Sequence, residues 1–98
     1  MSISEEIKKI AEHYGYDAQS NQLVEECAEL IQAVNKYRRS RGKGQATTDT
    51  EQIASDNLIE EIADVEIMIE QVKHLLQIPE EEIQTIKIYK VNRTKERM

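Results

Sequence analysis

The chain contains no tryptophan or phenylalanine, and only one cysteine, one proline and three glycines in 98 residues. Each scarcity excludes something. Without the two largest apolar rings the core must be aliphatic, because four tyrosines are the whole aromatic complement. The lone Cys27 rules out an internal disulfide and fits a reducing compartment. No apolar run approaches the roughly 18 residues of a membrane-spanning helix. The opening Met1-Ser2-Ile3-Ser4-Glu5-Glu6 lacks the basic-then-apolar order of a secretory signal. A cytoplasmic protein with no membrane partner is expected. Positive charge is also in short supply: 13 Lys and Arg stand against 19 Asp and Glu, for a net charge of −6. Nucleic-acid backbones call for a basic face, so nucleic acid is not an expected partner.

What remains is acidic and aliphatic, with helical spacing throughout. At this length one domain spanning residues 1–98 is expected, with a thin core that oligomerisation would naturally supplement. Ser2 or Ser4 can cap a first helix over about 3–14, with Glu5 and Glu6 in its first turn and Gly15 as its stop. Asp17 or Ser20 opens a second over about 18–40, with the apolar stripe Leu23, Cys27, Leu30, Ile31, Val34 and Tyr37. A third over about 53–77 carries the stripe Leu58, Ile62, Val65, Ile69, Val72 and Leu76. It has further apolar residues on its other sides, Ile59, Ile67 and Met68 among them, as a helix buried on more than one side would. Ile78-Pro79-Glu80-Glu81-Glu82 starts a fourth over about 79–96, apolar at first and then basic at Lys87, Lys90, Arg93 and Arg97. No strand-like alternation persists. The expected fold is all-α, a four-helix-bundle-like arrangement in a homodimer or homotetramer.

Neither histidine has a second His or Cys at ligand spacing, so His13 and His74 read as surface residues. The glycine-containing basic stretch from Arg38 to Gln45 lacks the preceding strand and the Lys-Ser/Thr ending of a phosphate-binding P-loop. It reads as a mobile connection, or more sharply as a basic flap over an anionic ligand.

The chemistry lies in two stretches that repeat each other, Leu23-Val24-Glu25-Glu26-Cys27-Ala28-Glu29-Leu30 and Leu58-Ile59-Glu60-Glu61-Ile62-Ala63-Asp64-Val65. At 100° per residue, Glu26 and Glu29 fall about −60° and −120° from Leu23, and Glu61 and Asp64 fall at the same angles from Leu58. Each helix thus presents an i, i+3 carboxylate pair on one shoulder of its stripe, and Glu26 is expected to pair with Glu61 and Glu29 with Asp64 at equivalent edges of the two seams. Gln22 and Asn57 extend both columns at about −100°. Four converging carboxylates repel unless a cation neutralises them. A hard divalent ion is indicated, Mg²⁺ first and Mn²⁺ as the substitute, because Mg²⁺ takes few protein carboxylates and also holds substrate phosphates. A di-iron site would need Glu-x-x-His pairs, and positions 32 and 67 are Gln and Ile.

These residues bring a family into view. Glu25-Glu26-x-x-Glu29 followed by Glu61-x-x-Asp64 resembles the signature of the MazG-type all-α nucleoside triphosphate pyrophosphohydrolases, and Lys90-Val91-Asn92-Arg93 resembles the basic closing helix of their small members. The resemblance covers roughly residues 15–97. It implies Mg²⁺-dependent cleavage of a (d)NTP to the monophosphate and pyrophosphate, a nucleotide-pool house-cleaning reaction. By the family pattern Glu26, Glu29, Glu61 and Asp64 are the metal ligands. Read from the residues themselves, Glu25 either acts beside the ligands to position the attacking water or is simply solvent-exposed, Gln22 and Asn57 lengthen the polar cleft along the substrate, and Lys90, Asn92 and Arg93 either contact the phosphate tail or complement the helix dipole. Base stacking would fall to Tyr14, Tyr16 or Tyr37, or to aliphatics across a subunit interface. The gap between the motifs is longer than in compact members, which bears on loop shape more than on chemistry. A phosphoribosyl-ATP pyrophosphohydrolase is the nearest alternative, although Ile67-Met68 stands where such proteins usually carry Tyr-His. A non-catalytic helical dimerisation or regulatory module is the alternative from another class.

Overall fold

The computed structural model describes residues 1–42 and 50–98. Its four helices are α1 (Ile3–Tyr14), α2 (Tyr16–Ser40), α3 (Glu51–Leu75) and α4 (Glu80–Arg97), and no strand occurs among the described residues. The protein is all-helical. No helix of the described residues is long and apolar enough to cross a membrane. Of the basic stretch Arg38 to Gln45 expected to act as a connection or flap, residues 38–40 close α2 and Arg41 and Gly42 follow it, while 43–45 lie outside the described residues.

Local chemistry accounts for the helix ends. Ser2, not Ser4, caps α1, its hydroxyl accepting from the Glu5 N–H at 3.1 Å. Gly15 joins α1 to α2 in a single residue, with φ 86° and ψ 171°. That region is essentially reserved for glycine, so any side chain here would strain the joint although nothing crowds it. Thr50 caps α3 by accepting from the Ile53 N–H. At its far end α3 closes with Gln77 in left-handed backbone, φ 54°, while the Ile78 N–H reaches back to the Lys73 carbonyl and that of Gln77 to the His74 carbonyl. This is the usual helix-closing pair of bonds, formed here around a glutamine where glycine is commoner.

Helices α2 and α3 form a long antiparallel pair. The numbers of its facing residues add to 90 at Gln19–Gln71, Glu26–Asp64 and Glu29–Glu61, and to 92 at the Arg41–Glu51 ion pair. α1 lies along the C-terminal half of α3, where the Ser4 hydroxyl donates to Glu70 and His74 Nε2 meets Glu12 Oε1 at 2.8 Å. His74 is therefore half-buried and holds two helices together, where its position in the sequence suggested a free surface residue.

The core is thin, as the composition implies. Its buried apolar residues are Ile7, Ala11, Ala33, Ala54, Val65 and Met68, and the three alanines let helix axes approach closely without filling much volume. Met68 is plain core filler. The packed face of α2 consists of Gln19, Leu23, Glu26, Leu30, Ala33 and Tyr37, all buried or half-buried. These centre about 40° from Leu23 on the acidic side, so Glu26 lies within the packed face rather than on its shoulder. Cys27, Ile31 and Val34 of the expected stripe are exposed, as are Ile62, Ile69 and Leu76 of α3. The reason is a division of labour: one flank of each helix packs inside the chain while the other carries its aliphatics outward. In an antiparallel pair related by a local two-fold, equivalent angles fall on the same side of the layer. Val24 with Ile59, Cys27 with Ile62, and Val34 with Ile69 are such equivalents, 35 positions apart, and all six are exposed.

The fourth helix departs from a bundle. No Cα of α4 comes within 8 Å of α1, α2 or α3, and none of its residues is buried. Its polar tie is Lys73 Nζ to Glu80 Oε2, 2.6 Å, beside an open cleft of about 960 Å³ lined by Lys8, Glu12, Glu70, His74 and Lys87. The arrangement is a three-helix body with a projecting helix. Its radius of gyration is 16.7 Å, against about 13 Å for a compact chain of this length.

Candidate metal centre

The acidic site sits midway along the α2/α3 pair, where both helices are regular and the register is held on one side by a buried amide pair. Gln19 Nε2 donates to Gln71 Oε1 at 2.6 Å, and Gln71 is only 2% exposed. Ten residues separate Gln19 from Glu29 on α2, and ten separate Glu61 from Gln71 on α3. The amide contact therefore sets the carboxylate contact.

Glu26, Glu29 and Glu61 each bring one carboxylate oxygen to within 4.8 Å of the other two. Asp64 completes the set from the Glu26 side, and it is half-buried like Glu26 and Glu61. The expected pairing of Glu26 with Glu61 and of Glu29 with Asp64 is crossed in the structure. Glu61 faces Glu29 and Asp64 faces Glu26, because an antiparallel neighbour presents its later residue to the other helix's earlier one. Gln22, on the turn before, donates to Glu26 Oε1 at 2.8 Å and fixes that carboxylate.

The electrostatics are those of a site without its counter-charge. Glu61 is pushed above the ordinary glutamate range, first by burial and then by the negative charges of Glu29, Asp64 and Glu26 and a hydrogen bond with Glu29. Asp64 is raised likewise, first by burial, then by Glu26 and Glu60 and a hydrogen bond with Glu26. Among the described residues, none of the four acids forms an ion pair with Lys, Arg or His. Glu26 Oε2 and Glu61 Oε2 are both out of solvent with no hydrogen-bond partner. An orphaned, buried carboxylate oxygen is costly unless something coordinates it. Two of them, from two helices, aimed into one cluster of like charge, suit a hard divalent cation with oxygen ligands.

The other expected site residues divide into two groups. Gln22 is in the site. Glu25 and Asn57 are exposed on α2 and α3 at its edge. Lys90, Asn92 and Arg93 are on α4, no Cα of which comes within 8 Å of α2 or α3, and none of them forms an ion pair with the acids among the described residues. Arg93 instead has its guanidinium 5.7 Å from the Tyr89 ring centroid, its own neighbour on α4. The residues that sequence reasoning missed are Gln19 and Gln71. Gln19 lay within the stripe of α2, about −40° from Leu23, which was a usable signal; Gln71, about −140° from Leu58, offered none. Comparison with protein-family models, with curated proteins and with solved structures finds no match to this chain.

Proposed function

We propose that this protein is a Mg²⁺-dependent nucleoside triphosphate pyrophosphohydrolase of MazG type, cleaving (d)NTP to (d)NMP and pyrophosphate in cytoplasmic house-cleaning of the nucleotide pool. The observation that carries the reading is the convergence of Glu26, Glu29 and Glu61 across two helices, with two buried carboxylate oxygens left without a partner. Glu26, Glu29, Glu61 and Asp64 would hold the ion, with Mn²⁺ a workable substitute. Bound there, it would supply charge neutralisation for the triphosphate and acidify a water. The chain's own contribution is positional. Gln22 holds Glu26 in one orientation, and the half-buried setting of Glu61 and Asp64 limits competition from bulk water. Glu25, exposed about 100° around α2 from Glu26, would accept a proton from a water at the edge of the site. The exposed aliphatic face of α2 and α3 supports a homo-oligomer.

The test is a (d)NTP panel with Mg²⁺, read as pyrophosphate release and, separately, as the shift in melting temperature on adding Mg²⁺ alone. Cleavage of at least one nucleotide, lost in Glu29→Ala and in Asp64→Ala, is expected. If no nucleotide is cleaved and Mg²⁺ leaves the melting temperature unchanged, the protein is instead a helical interaction module. Cleavage confined to phosphoribosyl-ATP would select that narrower activity.

A further inference from the structure

Gln19 and Gln71 are the buried polar side chains among the described residues, at 9% and 2% exposure, and they bond to each other. Stability does not account for them. A buried hydrogen bond returns little over the water bonds it replaces, and two apolar side chains of similar volume hold the same space about as well. What an amide pair supplies is selectivity, since each partner is costly to bury unless the other stands opposite. α2 and α3 need that selectivity. Sliding one helix past the other by seven residues, about 10 Å, turns its face by only about 20°, so an aliphatic seam survives the slide. The chain leaves room for it, because residues 41–50 join the two helices and a segment of that length can span roughly 33 Å. In the slid registers Gln19 and Gln71 part, and the carboxylates no longer meet. Glu26 would face Gln71 or Asn57, and Glu29 would face Met68 or Ala54. The α1 contacts, Ser4 with Glu70 and Glu12 with His74, oppose the slide less, since one is only part-buried and the other exposed.

We infer that Gln19 and Gln71 are positioning residues of the acidic site, their bond selecting the one α2/α3 register in which Glu29 meets Glu61 and Glu26 meets Asp64. The inference rests on the ion site proposed above and not on the reaction carried out there. The pair stands ten residues from the Glu29–Glu61 contact, about 15 Å along the helices. It therefore touches neither the ion nor its ligands, and acts through axial alignment alone. A shift of even one turn, about 5 Å, exceeds what an ion with bonds of about 2 Å tolerates. In the bond Gln19 Nε2 donates and Gln71 Oε1 accepts. The α3 position thus needs an acceptor and the α2 position a donor, a requirement that simple filling of space would not impose.

The test uses Mn²⁺ alone, its binding followed by electron paramagnetic resonance without nucleotide. Gln19→Leu/Gln71→Leu should keep a melting temperature at or above that of the wild type, yet lose about 10- to 100-fold in Mn²⁺ affinity. A purely structural pair would move the first quantity and not the second. Spin labels on the exposed Cys27 and on Gln52→Cys report the register of metal-free protein. One distance is expected in the wild-type background, and in the double-leucine background a second population displaced by about 10 Å. Undiminished affinity, or a single unshifted distance, in a folded double-leucine variant overturns the inference. If that variant does not fold, Gln71→Glu decides, because it keeps an acceptor for Gln19. A lowered melting temperature with Mn²⁺ affinity close to the wild type is then expected, and an affinity lost along with stability overturns the inference. If the wild type takes up no Mn²⁺, the ion site falls and the spin-label distances alone decide the register role. If it binds Mn²⁺ and cleaves no nucleotide, only the hydrolase reading falls.

Discussion

Two regions of this small protein are built from the same residue type and behave in opposite ways. At the junction of α1, α3 and α4, the glutamates have partners: Glu80 with Lys73, Glu12 with His74, Glu70 with Ser4. Glu80 is held below the ordinary glutamate range, first by its hydrogen bond to Lys73 and then by that to Gln84. Midway along α2 and α3, Glu61 and Asp64 have only other carboxylates for company and are raised. The first region is electrically complete within the chain. In the second the carboxylates have no cationic partner among the described residues, and that contrast, more than the number of acids, supports the ion site proposed above.

The comparison can be broken most sharply by removing a charge from each region. Glu61→Gln should cut pyrophosphate release on the order of 100-fold or more and cancel the Mg²⁺-induced rise in melting temperature, while leaving the metal-free protein as stable or more so. A clear loss of metal-free stability would mean that Glu61 is structural. Next in size is the amide pair that holds the register. Gln71→Ala leaves the Gln19 amide buried and unpaired, at a cost of about 1–3 kcal/mol, seen as a melting temperature lower by roughly 4–8 °C per kcal/mol.

Acidity should then separate the two regions by sign. Glu61 and Asp64 have folded values above their unfolded ones, so their stabilising contribution is fully present below the unfolded values, 4.5 and 3.8, and is lost as pH rises through the folded ones. Glu80 has the opposite sign: its contribution is present above 4.5 and is lost as pH falls through its depressed folded value. In metal-free protein, the stability gap between wild type and Glu61→Gln should therefore narrow on acidification toward pH 4.5. The gap between wild type and Glu80→Gln should instead shrink only below it. Matching profiles for the two variants would dissolve the distinction. The smallest effect is expected from Lys73→Ala, a change in melting temperature at the edge of detection, because Glu80 is exposed and water screens the pair.

Much of the helical layout was legible in the sequence because its punctuation is local. Ser2, Gly15 and Pro79 each act within a turn of the chain and require no knowledge of the rest, whereas α3 starts two residues before its expected start, at the Thr50 cap. The carboxylate columns were legible for a similar reason, since 100° per residue is intrinsic to the helix. The choice of flank was less accessible. Cys27, Ile31 and Val34 look like core on any apolar scale, yet Gln19, Glu26 and Ala33 occupy the packed face. A helix with two apolar flanks does not declare which one its own chain will use. The crossed facing of Glu29 with Glu61 follows from helix direction, and the detachment of α4 from the lack of any packing partner; both are properties of the assembled molecule. The basic half of α4 was visible as composition, but not its distance from the acids.

The equal ten-residue spans from amide to carboxylate on the two helices bear on how such a chain can vary in length. One residue added or removed between positions 19 and 29, or between 61 and 71, would turn every later side chain by about 100° and force a choice between mated amides and converging acids. Insertions and deletions in functional descendants of this chain should therefore avoid both ten-residue spans.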